Sequence, residues 1–280
     1  MIECKAKTHK ISIPAGIDLN YLEAGSGDTI VMVPGWSQSA VEWVYQINDL
    51  QKDYHVIAID MRGHGDSSKP STGYRISRLA YDLYQAIVKL NLKNVVLLGH
   101  SMGCSIIYNY WEFFGPERIK KLILVDQPCA ITANPAWSKE ERLQAGAIFS
   151  PNSLYDTANA IVESSSANET LLNSMFTEKV SKEDRNWIAR ENYKMPRKYA
   201  RDLLINHAMN DWRDIIRTIN LPSLLIGGEV SIFPYQAIEW NSKQIEGSIF
   251  KLFSKEERGS HFMFFENPKR FNEIVRNFIG

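Results

Sequence analysis

A serine between two glycines is the side chain of this 280-residue sequence best suited to nucleophilic chemistry. Residues 99–103 read Gly-His-Ser-Met-Gly, which fits the pattern G-x-S-x-G. They follow the apolar run 95–98, typical of a buried strand, and precede a helical pattern. A sharp strand-to-helix turn of this kind holds a serine hydroxyl exposed beside a helix N-terminus, and the flanking glycines let neighbouring backbone approach. We therefore predict that Ser101 is a catalytic nucleophile.

A serine hydroxyl loses its proton to a neutral imidazole within hydrogen-bond reach, and the sequence offers six histidines. His261 follows the last predicted strand, in a loop that contains Gly259 and Ser260. With a nucleophile on this type of turn, the triad follows the chain order serine, acid, histidine, which favours a late histidine. We predict His261 as the general base. His207, which lies among helical segments, is the alternative.

The elements that must position these residues indicate an α/β fold. Short β-branched runs alternate with helical stretches in the first half of the chain, which is typical of βαβ units and a parallel sheet. The runs are continuously apolar, as expected for strands that are covered on both faces. They comprise residues 29–33, 55–59, 95–98 and 122–125, after an antiparallel hairpin over 7–23, and the strand pattern resumes over 223–226 and 248–253. Amphipathic helices are predicted over 76–90, over 101–114 and after Pro268.

A long helical block interrupts the strand pattern. From about residue 135 to residue 213 the sequence predicts helices that start near residues 136, 152, 168, 181 and 196, without a convincing strand. We therefore expect one discontinuous sheet domain, formed by residues 1–129 and 214–280. Residues 130–213 are expected to form a separate helical cap.

Three further segments, together with the glycine-flanked serine, resemble the α/β-hydrolase superfamily over nearly the whole chain. Residues 33–36, Val-Pro-Gly-Trp, resemble its oxyanion loop, and residues 60–65, Asp-Met-Arg-Gly-His-Gly, resemble its D-x-R-G-H-G turn. Residues 259–262, Gly-Ser-His-Phe, resemble its histidine loop. The resemblance implies the α/β-hydrolase fold, a mostly parallel sheet flanked by helices with an inserted helical cap.

The resemblance also implies an oxyanion hole. Acyl transfer builds negative charge on a substrate oxygen, so backbone N–H groups must already point at that oxygen. The family pattern places these donors on Trp36, which follows Gly35, and on Met102, which follows Ser101.

The triad acid departs from the usual pattern of the superfamily. Most members carry it after the strand that follows the insert, in a pattern like G-x-x-D, where this chain has Ser231. A serine cannot stabilise the imidazolium that forms on the base. Asp126 ends the strand over 122–125, a placement similar to that in haloalkane dehalogenases, fungal zearalenone lactonases and cofactor-free quinolone dioxygenases. We predict Asp126 as the acid, with Glu229 as its rival and a dyad without an acid as the remaining alternative.

The substrate class follows from the nucleophile and the cap. A serine argues against dehalogenase and epoxide-hydrolase chemistry, because similar families use Asp at this place. An apolar pocket beneath a helical lid favours a medium-sized carboxylic ester or lactone, cleaved through an acyl-enzyme. The residues expected to bind the substrate are Gly35, Trp36, His100, Trp137 and Trp187.

Two other functions remain open on the same fold. A cofactor-free dioxygenase would use the histidine to deprotonate a hydroxy-heteroaromatic. Met102 stands where that family tends to have a second histidine, which counts against this function. A ligand receptor with slow turnover, similar to plant hormone receptors of this fold, is the other alternative.

Composition narrows the possible partners and the compartment. The 32 basic and 32 acidic side chains balance, which argues against nucleic-acid or membrane-surface binding. The apolar runs are too short to span a membrane, and the N-terminal residues lack a signal-peptide core. Three cysteines, Cys4, Cys104 and Cys129, do not make a disulfide framework, so we expect a cytoplasmic protein.

The sequence contains no metal-ligand or phosphate-loop motif, and we expect neither a metal nor a cofactor. A monomer and a dimer are both compatible with the sequence.

Overall fold

A single mixed sheet organises the chain. The structure, a computed structural model, describes residues 2–280, so residue 1 of the expected sheet domain lies outside the described residues. The strands form one eight-stranded sheet in the order β1-β2-β4-β3-β5-β6-β7-β8. Their bounds are β1 Lys7–Ile13, β2 Ile17–Ala24, β3 Thr29–Val33, β4 His55–Ile59, β5 Val95–His100, β6 Ile119–Val125, β7 Ser223–Gly228 and β8 Ile249–Phe253.

Strand direction confirms the expected fold class. The hairpin β1–β2 pairs antiparallel, with Ile13 opposite Ile17 at the turn, and β2 pairs antiparallel with β4. All other neighbours, from β4 through β3, β5, β6 and β7 to β8, pair parallel. The parallel strands therefore end at the same edge of the sheet, where α/β proteins place their ligand sites.

Helices connect the strands and cover both faces of the sheet. Alternate side chains of each parallel strand enter different apolar layers, because successive residues of a strand point to opposite faces. Val31 of β3 belongs to one layer and Met32 to the other. The helices are α1 Val44–Leu50, α2 Ile76–Lys89, α3 Met102–Phe114, α4 Lys139–Ala145, α5 Pro151–Glu163, α6 Ser165–Asn173, α7 Lys182–Tyr193, α8 Arg197–Ala208, α9 Arg213–Ile216, α10 Tyr235–Gln244, α11 Met263–Glu266 and α12 Pro268–Ile279, with a 3₁₀ turn over Ala40–Trp43.

The long segment between β6 and β7 is helical, and its two ends lie next to each other. Helices α4 to α9 follow one another there, and we call residues 130–213 the inserted segment. Its ends meet in an isolated antiparallel bridge between Ala130 and Asp211, beside a hydrogen bond from Trp212 N to Cys129 O (2.9 Å). Among the described residues, no helix combines the length and the apolarity needed to cross a bilayer.

Candidate active site

The turn between β5 and α3 holds Ser101 in a strained conformation. Its backbone has φ 52° and ψ −125°, a region that residues with a side chain rarely occupy. Close packing requires the glycines at positions 99 and 103, on either side of Ser101. A Cβ atom built on Gly103 would lie 2.3 Å from Val33 O, and one built on Gly99 would lie 2.7 Å from the Gly103 carbonyl carbon. The sharp turn predicted from the sequence is therefore present at Ser101.

Asp126 lies beside this turn, at the end of the neighbouring strand β6. Ser101 N donates to Val125 O (2.8 Å), which ties the nucleophile turn to the residue before the acid. Asp126 itself has φ 51°, a conformation that Asp and Asn tolerate better than most residues. Its side chain is completely buried. Parallel pairing of β5 and β6 thus brings two residues that are 25 positions apart to one edge of the sheet.

His261 and Asp126 form a buried hydrogen-bonded pair. His261 Nδ1 lies 2.6 Å from Asp126 Oδ2, and only 2% of the His261 surface is exposed. A carboxylate only accepts, so Nδ1 donates and Nε2 is left free to accept a proton. Burial lowers the pKa of His261 and raises the pKa of Asp126, because both charged forms lose solvation. The imidazole is therefore neutral at neutral pH, the form that a general base requires.

Ser231 supports the acid from the position where most of the superfamily carries its own. Ser231 Oγ donates to Asp126 Oδ2, the same oxygen that accepts from His261. Gly228 N faces the other carboxylate oxygen at 3.4 Å. Both contacts hold the pKa of Asp126 lower than burial alone would set it.

Glu229, the rival acid, makes different contacts. Its side chain is exposed, and Oε2 accepts from the backbone N–H of Lys255 (2.7 Å). The structure therefore brings Asp126, and not Glu229, into contact with His261.

The loop after β3 packs directly against the nucleophile. A Cβ atom built on Gly35 would lie 2.7 Å from Gln38 Oε1 and 3.1 Å from Ser101 Cβ, so glycine lets the loop pack closely here. Gly35 N donates to Gln38 Oε1 (2.6 Å), and Ala40 N donates to Asp60 Oδ1 (2.6 Å). These side chains set the course of the loop that carries the predicted Trp36 donor. The second predicted donor is the N–H of Met102, the first residue of α3, where backbone N–H groups have no partner within the helix.

His100 connects the two loops instead of facing a ligand. It is completely buried, and its Nε2 donates to His261 O (2.8 Å). Its Nδ1 lies 3.0 Å from Gln38 Oε1, and its ring centroid lies 4.5 Å from that of His261. These contacts favour a structural role in which His100 holds the backbone of His261, and the substrate contact expected of His100 stays a prediction.

The three tryptophans expected to bind substrate lie in different surroundings. Trp36 Nε1 donates to Ala200 O of α8 (2.8 Å), which links the loop after β3 to the inserted segment. The ring of Trp137 stacks under the Arg213 guanidinium at 4.5 Å and lines a groove with Met209. Trp187 stacks on Phe265 of α11, with ring centroids 5.9 Å apart. Trp36 follows Gly35, which packs against Ser101, whereas Trp137 and Trp187 contact Arg213 and Phe265; the substrate contacts expected of all three stay predictions.

His207, the alternative base, bonds to no acidic side chain among residues 2–280. It is 3% exposed in α8, and its Nδ1 is buried without a hydrogen-bond partner among the described residues. The base assignment therefore favours His261. Sequence reasoning missed Gln38 as a support of the loop after β3 and missed Ser231 as a donor to the acid. The sequence held one indication of the role of Ser231: this residue stands at the G-x-x-D position, where most of the superfamily carries the triad acid at the edge of the sheet.

The described part of the chain holds no cluster of three or more histidine, cysteine or acidic side chains arranged to hold a metal ion. The groups that the structure brings together near this edge of the sheet are the Ser101 turn, the His261–Asp126 pair and the loop after β3. This arrangement can attack a carbonyl carbon, move one proton through His261 and bind an oxyanion.

Comparison with known proteins places the chain in a family. The family model described as alpha/beta hydrolase fold matches residues 28–268. A putative non-heme chloroperoxidase of Synechocystis sp. is 39% identical over 112 residues, which cover 40% of this chain and 41% of that protein. A soluble epoxide hydrolase of Corynebacterium sp. is 32% identical over 156 residues, which cover 55% of this chain and 54% of that protein. The chain therefore matches only about half or less of the length of these curated relatives.

A solved structure extends the similarity to the whole chain. An esterase from Exiguobacterium antarcticum superposes with a TM-score of 0.89 at 24% identity, covering 98% of this chain and 99% of that one. At this identity the similarity concerns the fold alone. The family model spans most of the chain, and together with the observed sheet it identifies the protein as a member of the α/β-hydrolase family.

Proposed function

We propose that the protein is a serine hydrolase that cleaves a carboxylic ester or lactone through an acyl-enzyme. The observation that carries this proposal is the buried hydrogen bond between His261 Nδ1 and Asp126 Oδ2 beside the strained Ser101. In that tautomer, His261 Nε2 is the free proton acceptor, and Asp126 stabilises the positive charge that forms on the ring.

The mechanism follows from these roles. Ser101 Oγ attacks the acyl carbon as His261 Nε2 takes the hydroxyl proton, and the carbonyl oxygen becomes an oxyanion held by the N–H groups of Trp36 and Met102. Collapse breaks the bond to the leaving oxygen, which receives the proton from His261. Water then adds to the acyl-enzyme, His261 takes its proton and returns it to Ser101 Oγ, and the carboxylic acid leaves.

The substrate class rests on the nucleophile and on burial. A serine forms an acyl ester with a carbonyl substrate, whereas opening an epoxide or displacing a halide calls for a carboxylate nucleophile. Ser101 is only 7% exposed. The ring of Phe233 meets that of His261 edge-on with centroids 5.4 Å apart, which adds an apolar wall. A largely apolar, medium-sized ester or lactone fits this environment.

Hydrolysis of a panel of p-nitrophenyl esters and of γ- and δ-lactones tests the proposal. Ser101→Ala is expected to abolish turnover. Ser105→Ala is the matched control, because Ser105 lies one turn further along α3 with a buried hydroxyl that has no partner among the described residues. It should retain the activity of the wild type.

The outcomes separate the alternatives. Consumption of oxygen with a hydroxyquinolone, without turnover of any ester or lactone, would replace the proposal with a dioxygenase. Near-zero turnover on every substrate, combined with a ligand-induced thermal shift, would favour a receptor.

A further inference from the structure

The inserted segment holds the loop after β3 at the residue that follows the predicted Trp36 donor. This residue, Ser37, is completely buried and has φ 63°, a conformation that is uncommon for a residue with a side chain. Strained residues of this kind persist only where surrounding contacts hold them in place. Ser37 Oγ donates to Asn192 O (2.9 Å) and accepts from Arg197 Nη2 (2.6 Å). Both partners lie where α7 ends and α8 begins, and we call residues 192–197 the α7–α8 junction.

Arg197 is the side chain that ties this junction together. Its Nη2 also donates to Asn192 O and to Met195 O (2.6 Å), and its Nε donates to Met195 O (3.1 Å). Its Nη1 donates to Asn168 Oδ1 of α6 (3.3 Å). Burial lowers the pKa of Arg197 to about 10, which still leaves the guanidinium charged at neutral pH. Its hydrogen bond to Ser37 is therefore charge-assisted, and such bonds are roughly twice as strong as neutral ones.

The ring of Trp36 is anchored in the same part of the inserted segment. Trp36 Nε1 donates to Ala200 O of α8 (2.8 Å), and the guanidinium carbon of Arg197 lies 6.0 Å from the centroid of the indole. Trp36 and Arg197 also line one cleft. The side chain of Trp36 and the residue that follows it are thus both bonded to α7 and α8.

The backbone of Trp36 is consequently fixed from two sides. On the side of the sheet, Gly35 N donates to Gln38 Oε1 (2.6 Å), and a Cβ atom built on Gly35 would lie 3.1 Å from Ser101 Cβ. On the other side, Arg197 holds Ser37. An oxyanion donor must point at the substrate oxygen before the reaction begins, so an N–H group that turns away loses much of its effect. Release of Ser37 would free the backbone of Trp36 to turn in this way.

We propose that Arg197 is a positioning residue for the oxyanion hole, and that through Ser37 it fixes the direction of the Trp36 N–H. This inference rests on the proposed hydrolase function and deepens it, because it gives the inserted segment a part in the chemical step. In this role Arg197 acts on the loop after β3 and does not touch the substrate.

Two substrates that differ in one atom test this role. p-Nitrophenyl acetate is compared with p-nitrophenyl thionoacetate, in which sulfur replaces the carbonyl oxygen and the leaving group stays the same. Sulfur is a weak hydrogen-bond acceptor, so the N–H groups of an oxyanion hole stabilise its anion less than they stabilise an oxyanion. The ratio of the two kcat/KM values therefore reports on the oxyanion hole, and it does not depend on how much of the sample is folded.

The variants are Arg197→Met, Arg197→Lys and Ser37→Ala, with Arg201→Met as the matched control. Arg201 lies one turn further along the same helix, and its guanidinium bonds to the neighbouring Asp202 (2.7 Å). Its removal therefore takes one arginine from α8 without removing a hydrogen bond to Ser37.

We expect Arg197→Met to lower kcat/KM for the oxygen ester by about 30-fold, because losing a whole oxyanion donor costs about 100-fold or more. The loss should lie in kcat, with KM changed by less than about threefold. The thionoester should lose less than about threefold, so the ratio should fall by about tenfold or more. Ser37→Ala should lower the ratio as well, and Arg197→Lys should restore part of it, because an ammonium group can still donate to Ser37 Oγ.

A double variant tests whether Arg197 acts through Ser37. Residues that act through one contact are not additive, so Arg197→Met combined with Ser37→Ala should be no more impaired than the weaker of the two single variants. Arg201→Met should keep the ratio and the kcat of the wild type.

Each result bears on one claim. An unchanged ratio in Arg197→Met and Ser37→Ala, or equal losses on both substrates, would overturn the role of Arg197. If the oxygen ester is still cleaved in a manner that depends on Ser101, that result leaves the hydrolase function intact. A wild type without Ser101-dependent hydrolysis would overturn the hydrolase function, and the role of Arg197 with it. If Arg197→Met does not fold, Ser37→Ala and Arg197→Lys decide the question.

Discussion

Ser231 and His261 bond to the same oxygen of Asp126, so the triad acid should be movable from position 126 to position 231. In Asp126→Asn the amide keeps the shape of the side chain and tolerates the φ of 51° at this position. It cannot stabilise the imidazolium on His261. We expect kcat to fall about 10⁴-fold, which corresponds to about 5.5 kcal/mol of transition-state stabilisation.

Adding Ser231→Asp to that variant should recover part of the loss. Ser231 Oγ and His261 Nδ1 each lie within hydrogen-bond distance of Asp126 Oδ2, so they are at most about 6 Å apart. A carboxylate reaches about 1 Å further from Cβ than a hydroxyl does. The imperfect fit leads us to expect a gain of about 100-fold over Asp126→Asn alone, or about 2.7 kcal/mol.

The assay is kcat/KM for one p-nitrophenyl ester across pH 6–9, with folding checked by thermal unfolding. Asp126→Asn combined with Ser231→Ala is the control that lacks the new carboxylate, and it should show no recovery. Glu229→Gln in the wild-type background should keep near-wild-type activity, because Glu229 bonds to Lys255 N. A folded Asp126→Asn/Ser231→Asp protein no more active than Asp126→Asn would refute the shared-oxygen geometry.

Four further predictions concern the same turn and pair. Burial raises the pKa of Asp126 to about 7, and its carboxylate is the active form, so kcat/KM should decline as pH falls below about 7 and not near pH 4. Ser231→Ala removes a hydrogen-bond donor to the Asp126 carboxylate, so the pKa of Asp126 should rise and the acidic limb of the pH–rate profile should move to higher pH. Activity at pH 7 should fall about tenfold. Superimposable pH–rate profiles for the variant and the wild type would contradict this prediction. Ser101→Gly relieves the backbone strain at φ 52°, so its free energy of unfolding should exceed that of Ser101→Ala by about 1 kcal/mol. Urea denaturation measures both values, and equal values would mean that the turn stores no strain. Gly103→Ala places a Cβ 2.3 Å from Val33 O and should lower the free energy of unfolding by at least about 2 kcal/mol. Urea denaturation would detect this loss, and the control Ser105→Ala should not show it.

The strands were predictable because continuous apolar runs are a strong signal for a sheet covered on both faces. The residues at which these strands begin and end were harder to predict. Strand β6 begins at Ile119, ahead of the two lysines that precede the apolar run, since backbone pairing with β5 does not depend on side-chain polarity. Strand β5 likewise continues through His100, which the structure buries completely.

Motif order predicted the candidate triad residues, of which the structure joins Asp126 and His261 by a hydrogen bond, but it did not predict the groups that contact them. Ser231 donates to Asp126 across 105 positions of sequence, and His100 donates to the carbonyl of a residue 161 positions away. Such contacts arise from parallel strands that end at one edge, and no local pattern encodes them. Trp187 is predicted to bind substrate as an aromatic residue of the helical cap, but its spacing in the sequence does not say which surface the ring meets.

The most direct test of the central claim is to identify the acyl-enzyme. The wild type is mixed with p-nitrophenyl acetate, quenched in acid within the first turnover and digested for peptide mass spectrometry, with Ser101→Ala treated in parallel. We predict an acetyl group on Ser101 of the wild type and none on the corresponding peptide of Ser101→Ala. Turnover without any adduct, or an adduct on another side chain such as Asp126, would contradict the assignment of Ser101 as the nucleophile.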